Sequence, residues 1–237
     1  MYDLHSHVLP GIDDGAKDIE MSLAMLKSAK QQGVDVVAAT PHCMARSPEE
    51  VDAILGKRQQ SYENLMSEIK DKSEYPEIIL GAEVYLCKDI SEYNNLSSLC
   101  YQNTNYILLE LSNDINASDV SEWTYNIITK GLRPIIAHID RYKDYVDIMD
   151  ELSGIDVIYQ INASRFFSMS ERRILRNVFK KHDCFFASSD MHNLTSRPCN
   201  FAEARKIADK KFPLISEMLF SSAAKSIVEN KQFMSLA

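Results

Sequence analysis

The chain has 237 residues, of which 45% are hydrophobic and 25% charged, and it carries a net charge of −8. These values are ordinary for a globular protein and exclude a disordered or fibrous chain. The longest apolar runs fall far short of the roughly 18 residues that a membrane span needs, and Asp3, His5 and His7 interrupt any signal-peptide pattern. We therefore predict a cytoplasmic protein without direct membrane insertion.

Short apolar runs rich in β-forming residues alternate along the chain with longer amphipathic runs. Ile19, Leu23, Leu26 and Ala29 form the first helical stripe, with Asp18 as its N-cap and Gly33 as its end. Further helices are predicted at 48–72, 119–130, 144–152, 169–182 and 199–210, and after Ser221. The predicted strands are Tyr2–His5, Val34–Thr40, Glu77–Glu83, Tyr106–Leu111, Pro134–His138, Val157–Ile161 and Cys184–Ser189.

Seven successive β–α units indicate an α/β protein with a parallel sheet. This number favours a single-domain, closed (β/α)7 barrel of the TIM type over residues 1–237. The alternative is an open doubly wound sheet, but no G-x-G-x-x-G turn follows the first strand.

Two features that could suggest other activities have simpler interpretations. The dense basic patch Arg172, Arg173, Arg176, Lys180 and Lys181 has helical spacing, so a solvated helix face is favoured and no nucleic-acid partner is predicted. The five cysteines are scattered, as in reduced cytosolic proteins. Residues 199–205 spell the C-x5-R spacing of cysteine-based phosphatases, but no glycine allows the chain to wrap a phosphate there. We interpret this match as chance.

Histidines and carboxylates recur at the predicted carboxyl ends of the strands. These ends form one face of a (β/α) barrel, where active sites lie. Any one of these residues alone would be interpreted as a packed or surface residue, but so many together predict a site. They are His5, His7, His42, His138, His192, Glu83, Glu110 and Asp190, with Asp13 and Asp14 in the first β–α loop.

The spacing within this group predicts metal binding. In His5-Ser6-His7, alternate strand residues point to one side, so both imidazoles can bind one cation. Asp190-Met191-His192 repeats the spacing with a carboxylate. Mixed nitrogen and oxygen ligands without thiolate suit manganese, iron or zinc.

The segments that carry these residues resemble a known superfamily. DLHSHVLPGIDDGAK, ATPH, LGAEVYL, AHIDRY, QINAS and SSDMHNLTSRP occur in that order. They are similar to the polymerase-and-histidinol-phosphatase (PHP) superfamily, and more narrowly to its bacterial manganese-dependent protein-tyrosine phosphatases of capsule and exopolysaccharide systems. The resemblance implies a distorted (β/α)7 barrel with three divalent metal ions, manganese first among the candidates.

By resemblance, His5, His7, Glu83 and Asp190 bind the first metal, and Glu83 also binds the second. Glu110 and His138 complete the second, while Asp14, His42 and His192 hold the third. Asp14 is preferred to Asp13, although sequence alone does not separate the two. Arg141 and Arg197 match the arginines that bind the phosphate, and His182 matches nothing. These assignments rest on the resemblance alone.

The charge of such a site favours an anionic substrate. Three divalent cations beside four carboxylates leave about +2, and Arg141 and Arg197 add two charges that can fork onto phosphate oxygens. The hypothesis is direct hydrolysis by a metal-activated hydroxide, without a covalent enzyme intermediate. The resemblance implies a phosphotyrosine protein as substrate, a bacterial tyrosine autokinase first among candidates, and an oligomer is compatible with it. Rival hypotheses are a phosphatase acting on histidinol phosphate, an inert binding module, and a nuclease.

Two departures from the family pattern bear on the site. After His42 the chain reads CMARSPEE, where similar phosphatases have a longer loop containing His and Gly. Asp140 stands where glutamate is commoner, close to the predicted ligand His138. We expect activity to survive both changes.

Overall fold

The structure is a computed structural model that describes residues 1–112 and 115–232. Strands and helices alternate along these residues. The strands are Tyr2–Ser6 (β1), Val36–Ala39 (β2), His42–Cys43 (β3), Glu77–Leu80 (β4), Glu83–Leu86 (β5), Tyr106–Leu111 (β6), Arg133–Ile136 (β7), Ile158–Asn162 (β8) and Phe185–Ser188 (β9). The α-helices are Ile19–Gln31 (α1), Pro48–Glu68 (α2), Ala117–Thr129 (α3), Tyr145–Glu151 (α4), Met169–Lys181 (α5), Phe201–Lys211 (α6) and Ala223–Val228 (α7). Every predicted strand and helix overlaps an observed one.

The strands form two parallel sheets, in the orders β1-β2-β4 and β3-β5-β6-β7-β8-β9. The predicted α/β class with parallel strands is therefore confirmed. The predicted strand Glu77–Glu83 is divided at Gly81 between β4 and β5, whereas the predicted strand Val34–Thr40 corresponds to β2 alone, and the short strand β3 follows it after Pro41. Proline has no N–H for a ladder, yet the Pro41 carbonyl still accepts the Glu83 N–H at 3.0 Å.

The end of β1 lies beside the segment that follows β9. The Asp190 N–H donates to the His5 carbonyl, and the His7 N–H donates to the Met191 carbonyl, both at 2.9 Å. Ser6 and Met191 form an isolated parallel bridge. The first and last strand segments in the sequence thereby bring their polar residues together.

Two hydrophobic clusters lie on opposite faces of the strands, because alternate residues of a strand point to opposite sides. In β6, Ile107 and Leu109 belong to the larger cluster, which α1 joins through Met25 and Leu26. Leu108 belongs to the smaller cluster, together with Leu4 of β1. The polar site is built at the strand ends, beyond this apolar packing.

Helix ends follow the predicted chemistry. Asp18 caps α1 by accepting the Met21 N–H at 2.8 Å, and Gly33 follows the helix with φ +81°. On α5, Arg172 donates to the Phe166 carbonyl at 2.5 Å and Lys181 pairs with Asp150 at 2.8 Å. Two residues of the predicted basic patch, Arg172 and Lys181, therefore make polar contacts with other parts of the chain.

The C-terminal region packs on the sheet as far as it is described. Ala223, Ala224 and Ile227 of α7 are buried in the smaller cluster, and the Tyr106 hydroxyl donates to the Lys231 carbonyl at 2.7 Å. Residues 233–237 of the predicted domain lie outside the described residues. Among the described helices, none combines the length and apolar character needed to cross a bilayer.

The strand break at Gly81 generates a prediction. A Cβ on Gly81 would lie 2.8 Å from Tyr101 Cδ1 and 3.1 Å from Thr40 Cγ2, and Tyr101 is buried with its hydroxyl donating to the Leu4 carbonyl. We expect Gly81→Ala to lower the free energy of unfolding by about 1–3 kcal/mol through overpacking. Gly56, within α2, has nothing within 4 Å of its would-be Cβ, so Gly56→Ala should raise it by about 0.5–1 kcal/mol. Urea unfolding of both variants measures this, and equal shifts would contradict it.

Candidate metal centre

All nine predicted metal ligands converge on one side of the strands: most lie at or beyond the carboxyl end of a strand, whereas His42 and Glu83 begin β3 and β5 just after the breaks that follow β2 and β4. His5 lies in β1, His42 in β3, Glu83 in β5 and Glu110 in β6, whereas His138 follows β7. The loop segments supply the other four: His7 and Asp14 after β1, and Asp190 and His192 after β9.

The Glu83 carboxylate stands among four imidazoles. His138 Nε2 lies 2.9 Å and His5 Nε2 3.2 Å from Oε1, while His42 Nδ1 lies 2.8 Å and His7 Nε2 3.2 Å from Oε2. Glu83 is 1% exposed, so its charge must be compensated by these neighbours. This single carboxylate therefore contacts predicted metal ligands that several strands supply.

Three overlapping groups of residues could each hold a metal ion, because the ligand atoms within each group all lie within 4.8 Å of one another. They are His7, Asp14, His42 and His192; His5, His7 and Asp190; and His42, Glu83 and Glu110. His138 joins the last of these, since its Nε2 lies 3.5 Å from Glu110 Oε1. His42 contributes to two groups, because Nε2 lies 3.3 Å from Asp14 and Nδ1 lies 2.8 Å from Glu83. How the ligands divide among individual ions stays a prediction.

The ring nitrogens are oriented for binding a cation. In each of three histidines, Nδ1 contacts a polar partner. His5 Nδ1 lies 3.0 Å from Gln160 Oε1, His7 Nδ1 lies 2.7 Å from Asp13 Oδ2, and His192 Nδ1 lies 3.0 Å from the Asp190 carbonyl. Nε2 of the same three residues is buried and makes no hydrogen bond with the described residues, as is true of Glu83 Oε2. Unpaired buried polar atoms are costly. A divalent cation would satisfy all of them, so this donor set fits the metals predicted from the sequence.

The pKa values of these side chains reflect the need of the buried carboxylates for positive charge nearby. Burial alone would raise the pKa of Glu83, but the imidazoles, His5 above all, hold it well below its usual range. Burial also opposes protonation of His7, yet its contacts with Asp13 and Glu83 raise its pKa to about 10. Burial, reinforced by the charge of His7, lowers the pKa of His192 to about 4. The carboxylates thus require cationic neighbours, whether imidazolium or metal.

Two site residues have left-handed backbone conformations. His138 has φ 32° and Asp190 has φ 53°, a region that non-glycine residues rarely occupy. The His138 N–H donates to Gln160 Oε1 at 2.6 Å, and the Asp190 N–H donates to the His5 carbonyl at 2.9 Å. These hydrogen bonds hold both residues in conformations that direct their side chains into the centre.

The first β–α loop contains the two candidate aspartates, and the structure gives them different surroundings. Asp13 binds His7 Nδ1 and accepts the N–H groups of Gly15 and His42 at 2.9 and 3.2 Å. Asp14 Oδ1 lies 3.3 Å from His42 Nε2 and 3.4 Å from His192 Nε2. Asp13 therefore orients His7 and Asp14 faces the candidate cation group, a division that the sequence left open.

The two predicted phosphate-binding arginines border a cavity of about 420 Å³ beside the centre. Arg197 Nη2 lies 2.6 Å and Arg141 Nη1 3.7 Å from Asp190 Oδ2. Arg165, which the sequence analysis missed, also lines this cavity and pairs with Asp140 and Glu171, both at 2.5 Å. Asp140 is thus buried against Arg165, close to His138 in sequence.

His182 and Cys199, which the sequence did not assign to the metal site, lie away from the centre. His182 follows α5 and packs its ring edge-on against Tyr159 at 5.5 Å. Cys199 is buried just before α6, and burial raises the pKa of its thiol. Arg205, the other end of the C-x5-R spacing, lies within α6 and pairs with Asp209 at 2.8 Å. A helix therefore occupies the place of a phosphate-binding loop.

The sequence also matches a known protein family. A family model described as capsular polysaccharide synthesis, CpsB/CapC, matches residues 1–229. The chain belongs to the CpsB/CapC family. This membership confirms the predicted kinship with the phosphatases of capsule systems.

Relatives of this CpsB/CapC chain carry related names. Tyrosine-protein phosphatase CpsB of Streptococcus agalactiae is 30% identical over 97% of this chain and 99% of its own length. Tyrosine-protein phosphatase YwqE of Bacillus subtilis (strain 168) is 24% identical over 98% and 92%. A solved structure described with YwqE and Streptococcus pneumoniae CpsB as unique metal-dependent tyrosine phosphatases has a TM-score of 0.80 at 23% identity, covering 99% of this chain and 97% of that chain. This structural likeness establishes a shared fold.

The different roles of Asp13 and Asp14 can be separated by measurement. We expect Asp13→Asn to lower the free energy of unfolding of chelator-treated protein by roughly 1.5–3 kcal/mol, because it weakens a charge-assisted hydrogen bond to His7. Asp14 is 65% exposed, so Asp14→Asn should leave that stability unchanged and reduce the stabilisation by added Mn²⁺. Thermal unfolding with and without Mn²⁺ reports both effects, and the reverse pattern would assign the roles the other way round.

Proposed function

We propose that the chain is a metal-dependent phosphotyrosine-protein phosphatase. The observation that carries the proposal is a set of buried, unpaired imidazole and carboxylate atoms around Glu83, beside a cavity bordered by Arg141 and Arg197. Such a site offers cation ligands and phosphate-binding side chains in one place. The names of the CpsB and YwqE relatives support the same activity.

The proposed centre holds three divalent ions, manganese first, with iron or zinc as alternatives. His5, His7, Glu83 and Asp190 would hold one ion; Glu83, Glu110 and His138 a second; and Asp14, His42 and His192 a third. The short distances within these groups support the division. Bound cations of this kind polarise phosphate oxygens and make water a stronger nucleophile at neutral pH.

The side chains of the protein bind and orient the phosphate ester. Arg141 and Arg197 can donate forked hydrogen bonds to the phosphate and stabilise the charge that develops during hydrolysis. Both now share the Asp190 carboxylate, so their guanidinium groups already face the centre. A phenolic leaving group has a pKa of about 10 and needs less help from a general acid than a serine alkoxide. This difference favours phosphotyrosine over phosphoserine.

The proposed substrate is phosphotyrosine on a bacterial tyrosine autokinase that controls capsule or exopolysaccharide synthesis. The capsular polysaccharide description of the family supports this setting, and the cytoplasm is the proposed location. No nucleic acid takes part in the proposed reaction.

The finer architecture belongs to the same proposal: one domain in which the two sheets form a single (β/α)7 barrel. The hydrogen bonds between the end of β1 and the segment after β9 support this closure. The neighbouring breaks at Pro41 and Gly81 also support it, because they explain why two barrel strands are each divided between the two sheets. The β–α loops of such a barrel would frame one active-site face.

The direct test is phosphate release from a phosphotyrosine peptide, compared with a phosphoserine peptide and histidinol phosphate. We expect release from phosphotyrosine with Mn²⁺ and its loss after chelation. Cys199→Ser should retain this activity, because the buried thiol takes no part. Activity that survives chelation, that prefers histidinol phosphate, or that disappears in Cys199→Ser would contradict the proposal.

The arginines give a second prediction. We expect Arg141→Ala and Arg197→Ala each to lower kcat/KM for the phosphotyrosine peptide by about 10²-fold, because each removes a charged donor to the phosphate. Arg173 is exposed on α5, so Arg173→Ala serves as the matched control and should retain wild-type kinetics. Unchanged kinetics in both site variants would remove the arginines from the phosphate site.

A further inference from the structure

A series of buried side-chain amides links His5 to Asp190. Gln160 Oε1 lies 3.0 Å from His5 Nδ1, and Gln160 Nε2 donates to Asn162 Oδ1 at 2.9 Å. Asn162 Nδ2 in turn donates to Asp190 Oδ2 at 3.0 Å. Gln160 is completely buried in β8. Two predicted ligands of one ion, from opposite ends of the sequence, are thus joined through polar contacts.

The ends of this series fix its direction. The ionised Asp190 carboxylate only accepts hydrogen bonds, so Asn162 must present its NH₂ group to Asp190 and its oxygen to Gln160. At the other end, the backbone N–H of His138 only donates, and it contacts Gln160 Oε1 at 2.6 Å. Gln160 therefore presents its oxygen to His5. Because that oxygen cannot donate, Nδ1 of His5 must carry the proton.

This proton position determines what His5 offers to a cation. With Nδ1 protonated, the lone pair of the neutral ring is on Nε2, which lies 3.2 Å from Glu83 Oε1 and 3.5 Å from Asp190 Oδ1. Nε2 is also one of the buried atoms without a hydrogen bond in the described structure. The hydrogen bond to Gln160 thus directs the metal-binding nitrogen toward the other ligands.

We propose that Gln160 is a positioning residue of the metal centre: it selects the Nδ1–H tautomer of His5 and holds the His138 backbone. The inference rests on the proposed metal site but not on the identity of the substrate. Without the Gln160 amide, His5 Nδ1, the His138 N–H and Asn162 Oδ1 would each lose the partner described above. Replacement therefore disturbs ligands on β1, after β7 and after β9 together.

Gln160→Met tests the proposal, because methionine is similar in length and has no amide. Isothermal titration of chelator-treated protein with Mn²⁺ should show affinity weakened about 10–100-fold, as for other losses of a ligand-orienting partner. Gln59→Met makes the same exchange on the exposed face of α2 and should bind Mn²⁺ like the wild type. Loss of affinity confined to Gln160→Met supports the proposal, and wild-type affinity in that variant overturns it.

The imidazole nitrogens provide a readout that general destabilisation would not imitate. In zinc-loaded protein, ¹⁵N–¹H correlation spectra should identify His5 as the Nδ1–H tautomer in the wild type and in Gln160→Glu, which keeps the acceptor. Another tautomer of His5 in either protein would contradict the proposal. This result does not depend on whether Gln160→Met folds. Wild-type protein that binds neither Mn²⁺ nor Zn²⁺ would refute the metal centre itself, whereas normal metal binding without phosphatase activity would refute only the proposed reaction.

Discussion

The structure depends on one buried carboxylate that cannot be left uncompensated. Glu83 is almost inaccessible to water, and four imidazole nitrogens lie within 3.2 Å of its oxygens. Such a group is tolerated only with cationic or hydrogen-bonding partners. The four imidazoles lie close enough to compensate this charge, yet Nε2 of His5 and Nε2 of His7 make no hydrogen bond with the described residues. A bound divalent cation, as proposed above, would compensate the carboxylate and bind these nitrogens, and it would thereby stabilise a cluster that is otherwise costly to bury.

The backbone around this carboxylate is adapted to present it. Pro41 and Gly81 divide two adjacent strands, so that His42 and Glu83 begin new strand segments paired directly with each other. The register of β1 against β2 also shifts between Asp3 and Ser6, just where His5 stands. His138 and Asp190 have left-handed conformations. Strained or irregular backbone is concentrated at functional sites. Here the His138 N–H donates to Gln160 Oε1 and the Asp190 N–H donates to the His5 carbonyl, and these hydrogen bonds compensate for the strain.

Much of the fold was predictable because the hydrophobic pattern is local. The strand at Tyr106–Leu111 was predicted with its observed bounds. The histidines and carboxylates of the candidate centre could be singled out in the sequence because the ends of parallel strands share one side. Side-chain partnerships were not predictable. The contacts of Asp13 with His7, of Gln160 with His5 and of Arg165 with Asp140 depend on atomic distances that no sequence period encodes. The short strand β3 was missed because only two residues follow Pro41 before the ladder ends, and the break at Gly81 was missed because Ile78, Ile79 and Leu80 are followed closely by Ala82.

Calorimetric titration of chelator-treated protein with Mn²⁺, comparing the wild type with Glu83→Gln, tests directly whether Glu83 is shared by more than one metal ion. The control is Glu77→Gln, which makes the same exchange at the exposed start of β4. We expect saturable binding of more than one ion per chain in the wild type and the control. In Glu83→Gln we expect fewer bound ions and at least a 10-fold weaker affinity, because the proposed centre shares that carboxylate between ions. Binding in Glu83→Gln that equals the wild type, or no saturable binding in the wild type, would contradict this expectation.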